Sequence, residues 1–340
     1  MSLIEIDGGF GEGGGQIVRT ALSLSLVTGK SFHIHNLRAK REKPGLRPQH
    51  LAAVKAALKV SGSQAEGDAI GSRELIFSPA PARAGHYRID IGTAGSTTLV
   101  FQTLLPALLQ QKRESILEIT GGTHNPKSPC FDFIAECFLP LLRLLGIDVE
   151  AELLRYGFYP RGGGQVRFKI KPCKGKPLTI SAPAQWEHPT AQILLAGLEA
   201  HIAERERDEL AERMGISPDQ IELKFLPNDQ GPGNAILLKY SSGERVEIFT
   251  GYGEKGKRAE RVAQEVAREG KNFSRSPAQL DPHLSDQILI YLALGPGGEF
   301  TGSELSSHFH TNLQIISEFL PIQAQIHAPA ADLHTIKILA

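Results

Sequence analysis

The sequence has few cysteines, no net charge and no long apolar run, and each of these absences excludes a class of protein. Its three cysteines are odd in number and too few for a disulfide framework: Cys130, Cys137 and Cys173. They contain no close pair of the kind that ligates a metal, so we expect buried thiols in a reducing compartment. No apolar stretch approaches the roughly 20 residues that a membrane span requires, and the amino terminus lacks a secretory pattern. The sequence therefore predicts a soluble, cytoplasmic protein.

Positive and negative charges balance, with 37 Lys and Arg residues against 37 Asp and Glu residues. A field of the whole protein therefore cannot attract an anionic polymer, and any contact with nucleic acid must be local. One stretch carries five cations within ten residues, interrupted only by Glu42: Arg38, Lys40, Arg41, Lys43 and Arg47. Because arginine can hold a phosphate with two parallel hydrogen bonds, this stretch is a candidate anion site. A solvated loop is the alternative interpretation.

The chain of 340 residues is longer than a typical single domain. Its 35 glycines cluster between segments whose apolar spacing is typical of strands or of helices. The succession of strand, turn and helix recurs at roughly 80–100 residues in the first half of the chain. We therefore expect an α+β fold in which a mixed sheet with two helices forms a repeated unit.

This pattern is interrupted between about residues 177 and 276. Here the sequence predicts a charged helix over 193–214, strands over 221–225 and 235–240, and a helix over 257–268. Because the repeated layout resumes afterwards, we predict two domains. Residues 1–176 and 277–340 form the large domain that carries the active site, and residues 177–276 form a small inserted α/β domain.

Two glycine-rich turns precede predicted helices. Residues 11–16 read Gly-Glu-Gly-Gly-Gly-Gln, and residues 92–96 read Gly-Thr-Ala-Gly-Ser. Backbone N–H groups at the start of a helix bind phosphate, and glycine permits a close approach. Neither turn matches the P-loop or the dinucleotide fingerprint, so a plain tight turn is an equal alternative for each. Glu12 strengthens the first turn, because a carboxylate among glycines has no apolar packing role and could hold a divalent metal.

Histidines cluster near the end of the sequence, at His283, His308 and His310. His308 comes just before an apolar-periodic helix predicted over 311–320, near the electropositive end of that helix. An imidazole placed there can attack a phosphorus centre while the helix dipole stabilises the oxyanions. Three histidines could equally hold a metal, so spacing alone leaves both roles open.

Taken together, these segments resemble the RNA 3′-terminal phosphate cyclase family. The matching runs follow one another along nearly the whole chain, at residues 11–19, 38–41, 44–46, 49–50, 90–96, 121–123, 157–164, 283–287 and 308–312. The segment predicted to be inserted matches least. The resemblance implies three repeated βαβαββ-like units, similar to the C-terminal domain of a bacterial translation initiation factor, with a smaller α/β domain inserted.

The resemblance also implies an activity of the ligase type. An RNA 3′-phosphate is converted into a 2′,3′-cyclic phosphate at the expense of ATP, with release of AMP and diphosphate. Neutral His308 attacks the α-phosphorus of ATP, and the RNA 3′-phosphate then displaces the imidazole to give RNA(3′)pp(5′)A. The neighbouring 2′-hydroxyl finally expels AMP. The expected partners are therefore ATP, a divalent cation (Mg²⁺ or Mn²⁺) and RNA with a 3′-phosphate end.

Position by position, the resemblance assigns further site residues. Glu12 would bind the divalent cation. Phosphates of ATP or of the RNA end would be bound by Arg19, Arg38, Arg41 and Gln49. The nucleotide pocket would be lined by Phe101, Gln102, Pro129, His283, Leu284, Ser285, Asp286 and Gln287. Position 310 departs from the apolar residue expected there, and the role of His310 is open.

Two alternatives to this interpretation exist. A branch of the same family assists ribosome assembly and lacks the catalytic histidine, so the chain could be an RNA-binding assembly factor. The presence of His308, Glu12 and the arginines favours the enzyme. Enolpyruvyl transferases share a repeated architecture of similar type, but their substrate-binding motifs are not found in this sequence.

Overall fold

The computed structural model describes residues 3–180, 185–243, 245–330 and 332–340. Within these residues, strands and helices alternate along the chain, and the strands form four sheets of four strands each. Parallel and antiparallel neighbours occur in every sheet. The predicted α+β class is confirmed.

The first sheet has the strand order β1-β2-β4-β3. Its strands are β1 (Ile4–Asp7), β2 (Phe32–His35), β3 (Gln64–Glu66) and β4 (Leu75–Ser78). β1 and β2 are parallel and joined by helix α1 (Gly15–Thr28), and helix α2 (Pro48–Ser61) follows β2. Each helix ends at a left-handed glycine, Gly29 and Gly62, as expected where the apolar periodicity stops.

The second sheet repeats this topology in the order β5-β6-β8-β7. Its strands are β5 (His86–Asp90), β6 (Ser115–Gly121), β7 (Val149–Arg155) and β8 (Gly164–Ile170). Helix α3 (Thr97–Leu109) joins the parallel pair β5 and β6. The second helical stretch begins as α4 (Phe131–Phe133), continues through a π-helical turn (Ile134–Phe138) and ends as α5 (Leu139–Leu144).

After β9 (Leu178–Thr179), the chain forms a separate sheet in the order β11-β10-β12-β13. Its elements are β10 (Thr190–Ala196), α6 (Ala200–Met214), β11 (Ile221–Leu226), β12 (Gly233–Ser242), β13 (Arg245–Tyr252) and α7 (Ala259–Arg275). The helix predicted from residue 193 is therefore wrong over its first residues. Ile193 and Leu195 belong to the small core under α6 and α7, whereas Leu194 faces the main core. A strand buried on both faces has a continuous apolar run, which periodicity does not distinguish from a buried helix.

The third sheet completes the repeat in the order β15-β16-β14-β9. Helix α8 (Pro282–Leu294), β14 (Gly298–Gly302), helix α9 (Ser307–Phe319), β15 (Gln323–Ala330) and β16 (Leu333–Leu339) follow one another here. β9 pairs with β14 in parallel, so residues 178–179 lie in the third sheet, beyond the boundary predicted at 177. The division into a large and an inserted domain stays a prediction.

The helices of the three repeated sheets pack against one another, and this packing positions their amino-terminal ends. α1 packs against α2, α3 and α9, and α8 packs against α9. Phe101 of α3 stacks on Phe168 of β8 with ring centroids 3.8 Å apart, in the centre of this core. None of the helices in the described ranges combines the length and the apolar content needed to cross a lipid bilayer.

Glu206 of α6 is buried and carries a pH-dependent part of the stability. Its side chain accepts a 2.8 Å hydrogen bond from the Asn234 side-chain amide. Burial raises the pKa of Glu206 from 4.5 to about 7. The unfolded chain thus releases this proton near pH 4.5 while the folded chain retains it up to about pH 7. Stability therefore falls as the pH rises through this interval.

We expect Glu206→Gln to raise the free energy of unfolding at pH 8 by about 3 kcal/mol and to have little effect at pH 4. Glutamine keeps an oxygen for Asn234 and removes the buried charge. Urea unfolding at the two pH values measures the effect. The matched control, Glu212→Gln on the exposed face of α6, should change neither value. An equal gain for Glu206→Gln at both pH values would contradict the prediction.

Candidate active site

His308 is the second residue of α9, and its position results from a helix cap that the sequence pattern did not reveal. The Ser306 hydroxyl accepts a 3.2 Å hydrogen bond from the Phe309 N–H, so the helix begins at Ser307 and not at the predicted residue 311. His308 thus lies in the first turn, where free N–H groups and the helix dipole favour negative charge.

His308, Glu12 and Arg41 meet although they come from three distant parts of the chain. Glu12 Oε2 lies 3.1 Å from His308 Nε2 and 3.1 Å from an Arg41 guanidinium nitrogen. The Glu12 side chain is 13% exposed, whereas His308 and Arg41 are 41% and 42% exposed. The carboxylate is therefore held in place, while both of its partners remain accessible to a ligand.

The glycines of the first turn allow this approach. Gly11 has a φ of +55° and lies against the Thr311 hydroxyl, so a Cβ atom at this position would collide with α9. Gly14 lies directly against the second carboxylate oxygen of Glu12, where a side chain would displace the carboxylate. The glycine-rich turn therefore serves here to bring Glu12 against the first turn of α9.

The surroundings of His308 favour a neutral imidazole. Burial lowers its pKa, the Glu12 carboxylate opposes this, and the nearby Arg19, His283 and Arg41 lower it further. Nδ1 is buried and has no hydrogen-bond partner among the described residues, whereas Nε2 faces Glu12. The ring therefore presents Nε2 towards the site.

Next to His308, Arg19 of α1 and Asp286 of α8 influence each other electrostatically; Asp286 is buried and Arg19 is half-buried. Burial lowers the pKa of Arg19 to about 10, and Asp286 and Glu12 oppose this shift. Burial likewise raises the pKa of Asp286 to about 7, while His283 and Arg19 oppose it. The Asn312 side chain donates a 2.8 Å hydrogen bond to the Asp286 carbonyl and accepts a 2.7 Å hydrogen bond from the Thr20 hydroxyl. These two bonds join α8, α9 and α1.

A cavity of about 740 Å³ opens beside these residues. It collects seven of the predicted site residues: Arg19, Gln102, Pro129, His283, Asp286, Gln287 and His308. The Gln102 amide donates a hydrogen bond to the side-chain oxygen of Gln287, which links α3 to α8. The opposite wall comes from β13, α7 and the loop between them, including Tyr252, Lys257 and Glu269, which reasoning from sequence did not identify. The volume and the mixed lining suit a nucleotide.

Three of the predicted pocket residues lie elsewhere. Phe101 is fully buried and stacks in the core. Leu284 and Ser285 are buried on the other side of α8. The cavity side of that helix carries His283, Asp286, Gln287 and Ile290, which is the spacing of one helical face. Neighbours of a site residue in sequence therefore point away from the cavity.

The remaining predicted phosphate-binding residues lie at the edge of the site. The Gln49 side chain contacts the second glycine-rich turn. It donates a 3.2 Å hydrogen bond to the Ser96 carbonyl and accepts a hydrogen bond from the Ser96 N–H. Gln49 lines a second cavity of about 1310 Å³. Arg38 has a φ of +54° and a buried Nε with no hydrogen-bond partner among the described residues. Burial lowers its pKa, and the charges of Arg41 and Arg47 add to this.

His50 is a site residue that reasoning about individual motifs missed. Its Nδ1 accepts a 3.1 Å hydrogen bond from the Arg47 N–H at the start of α2, and its ring lies against Gly15. The pKa of His50 is lowered to about 3, mainly by burial and further by the positive charges of Arg19, Arg38 and Arg47. His50 is therefore a neutral support beneath the cations. Its place in the matched run 49–50 was the available signal.

Glu12 fits a hard divalent cation. Carboxylate oxygens are the ligands that Mg²⁺ and Mn²⁺ prefer. Among the described carboxylates near His308, Asp286 is 6% exposed and its pKa is raised to about 7, whereas Glu12 is 13% exposed and directly contacts His308 and Arg41. A single carboxylate leaves most of the coordination sphere to phosphate oxygens and water.

Comparisons with known proteins identify the family of this chain. The family model for RNA 3′-terminal phosphate cyclase matches residues 10–326. A curated protein of that name from Ectopseudomonas mendocina (strain ymp) is 45% identical over 320 residues, which cover 94% of this chain and 93% of the relative. A relative of the same name from Koribacter versatilis (strain Ellin345) is 44% identical over 96% of this chain and 92% of its own length. Another, from Salmonella enteritidis PT4, is 42% identical over 96% of this chain and 96% of its own length. The predicted family is confirmed: the chain belongs to the RNA 3′-terminal phosphate cyclase family of enzymes.

Proposed function

We propose that this chain uses ATP to convert the 3′-terminal phosphate of RNA into a 2′,3′-cyclic phosphate, with release of AMP and diphosphate. The observation that carries the proposal is the contact between His308 and Glu12 beside a nucleotide-sized cavity. The names of the relatives supply the substrate class.

In the first step, His308 Nε2 attacks the α-phosphorus of ATP. An N–P bond forms, the bond to the β-phosphate oxygen breaks, and diphosphate leaves. The attack needs a neutral ring with its proton on Nδ1 and a free lone pair on Nε2. The lowered pKa of His308 favours a neutral ring at pH 7, and Nε2 would be free to attack when Glu12 holds the divalent cation in place of its contact with the ring. The amino terminus of α9 and the cation of Arg41 stabilise the charge on the phosphoryl oxygens.

The residues around His308 would each bind a different part of the ATP or RNA phosphates. Glu12 would hold a Mg²⁺ or Mn²⁺ ion, whose chemistry is to neutralise charge on the triphosphate. Arg19, on the cavity wall, would bind phosphate from the side of α1. Arg41, which is exposed and contacts Glu12, and Arg38, which is half-buried nearby, would bind the incoming RNA end.

In the later steps, the RNA 3′-phosphate attacks the adenylylated histidine. A phosphate oxygen displaces Nε2, which regains its lone pair, and RNA(3′)pp(5′)A forms. The 2′-hydroxyl of the same ribose then attacks the 3′-phosphorus, loses its proton and expels AMP. Nucleophile and electrophile share one sugar, so this step gains the full advantage of proximity.

Three RNA ends with the same sequence test the proposal. RNA with a 3′-phosphate and ATP should give a 2′,3′-cyclic end and one AMP for each end converted. A 2′-O-methyl group on the terminal nucleotide should stop the reaction at RNA(3′)pp(5′)A, because the last nucleophile is blocked. A 3′-hydroxyl end should not react. RNA binding without any consumption of ATP would reject the proposal and favour a non-catalytic RNA-binding protein.

A further inference from the structure

His124, Cys130 and Asp132 form a cluster of metal-ligating side chains separate from His308 and Glu12. Their ligand atoms all lie within 4.8 Å of one another. His124 and Cys130 are fully buried, and the Asp132 side chain is 14% exposed. The three residues lie within nine positions of the sequence, on the segment that runs from the end of β6 into α4. A nitrogen, a sulfur and an oxygen donor therefore converge at one nearly buried point.

Contacts around the cluster fix the donors in place. His124 Nε2 lies 2.7 Å from an Asp132 carboxylate oxygen, and His124 Nδ1 lies 2.9 Å from the Thr123 hydroxyl. The Thr123 hydroxyl in turn accepts a 3.0 Å hydrogen bond from the Gly157 N–H. The Phe133 N–H donates to Cys130 Sγ at 3.3 Å. The contacts from Thr123 and Phe133 come from outside the cluster, and hydrogen bonds of this kind orient the donors at protein metal sites.

We propose that His124, Cys130 and Asp132 bind one divalent transition-metal ion, of which zinc is the best match. Imidazole nitrogen, thiolate sulfur and carboxylate oxygen are zinc ligands, and three protein ligands with one open position are a known arrangement. On binding, the Cys130 thiol releases its proton to solvent and the ion takes the place of the direct contact between His124 and Asp132. The thiolate and the carboxylate then balance the two charges of the ion.

The position of the cluster suggests what the ion does. The residues between its ligands, Pro126, Lys127 and Ser128, line both the nucleotide-sized cavity and the larger second cavity. Pro129 lines the first cavity, and its carbonyl accepts a 2.7 Å hydrogen bond from Thr98 of α3. An ion bound by His124, Cys130 and Asp132 would tie both ends of this segment together and so stiffen the wall that the two cavities share.

Cobalt tests the site directly, because a thiolate bound to Co²⁺ gives an intense charge-transfer absorption. The full chain, first stripped of metal with a chelator, is titrated with Co²⁺. We expect one equivalent to produce this absorption and Zn²⁺ to abolish it by displacing the cobalt. Cys130→Ser should lose the absorption and weaken Zn²⁺ binding on the order of 100-fold. Cys173→Ser, at a partly exposed thiol outside the cluster, should keep both.

Two further measurements separate metal binding at Cys130 from misfolding of the variant and from the proposed enzymatic function. Zn²⁺ should raise the thermal midpoint of the unaltered chain but not that of Cys130→Ser, whose folding is checked by circular dichroism. Glu12→Gln should keep the cobalt absorption, so the result does not depend on the proposed enzymatic function. No absorption in the unaltered chain, or an unchanged one in Cys130→Ser, would overturn the proposal. His124 and Asp132 would then be a plain buried pair, with Cys130 as a helix cap.

Discussion

Replacing His308 with alanine should eliminate the protein–AMP adduct and slow cyclisation of 3′-phosphate RNA on the order of 10⁴-fold or more. The variant lacks the nitrogen that is proposed to form the covalent bond with AMP. Any remaining cyclisation would depend only on the binding of ATP and RNA next to each other. Because α9 begins at the Ser306 cap and its core residues are unchanged, the variant should fold normally. Incubation with ATP labelled in the α-phosphate measures the adduct, which should be acid-labile and alkali-stable as a phosphoramidate.

His310 offers the matched control on the same helix. It is exposed and lies two residues further on, so it points away from Glu12. His310→Ala should therefore form the adduct at the rate of the unaltered chain. The nucleophile assignment fails if the adduct survives in His308→Ala, or if folded, unaltered protein forms none with a divalent cation present.

Glu12→Gln should slow adduct formation on the order of 100-fold, which corresponds to about 3 kcal/mol of transition-state stabilisation. The amide keeps the shape of the carboxylate and one neutral oxygen, but it loses the negative charge that is proposed to bind the divalent cation. Arg41 also loses its ionic partner, which lies 3.1 Å away. The rate of adduct formation should be measured over a range of Mg²⁺ and Mn²⁺ concentrations, since the variant should require more metal.

Glu42→Gln is the control for the loss of a negative charge in the same region. Glu42 is exposed in the loop that carries Arg41, and none of the described contacts assigns it to the site. Its rate and its metal dependence should match those of the unaltered chain. If Glu12→Gln shows the same metal dependence as Glu42→Gln, Glu12 is not the ligand of the cation.

The repeated part of the fold could be predicted from sequence because glycines mark the ends of its elements. The glycine-rich turns at residues 11–16 and 92–96 lead into helices α1 and α3, as predicted. Secondary structure was predicted wrongly where tertiary packing determines whether a segment becomes a strand or a helix. Residues 193–196 form a strand because they are covered on both faces, and β13 was missed.

The candidate site was predictable in its chemistry and less so in its geometry. His308 and Glu12 were chosen from residue type and local context, and the structure brings them into contact. The resemblance also assigns Phe101 and Ser285 to the pocket, but both are buried away from it because helix periodicity turns sequence neighbours to different faces. The wall formed by Tyr252 and its neighbours gave no signal, because its position depends on how a distant sheet packs.

The pairing of β9 with β14 has a consequence for the order of folding. Leu178 leaves the ribosome well before its partner Gly298, and an entire sheet with two helices is synthesised between them. The long separation makes closure of the third sheet costly in chain entropy, so contacts within the first two sheets can form earlier. Since α9 follows β14, the proposed nucleophile His308 is positioned only after the strand that pairs with β9 has been made. A nascent chain therefore holds Arg19, Arg38 and Arg41 before it acquires His308, the residue proposed to react with ATP.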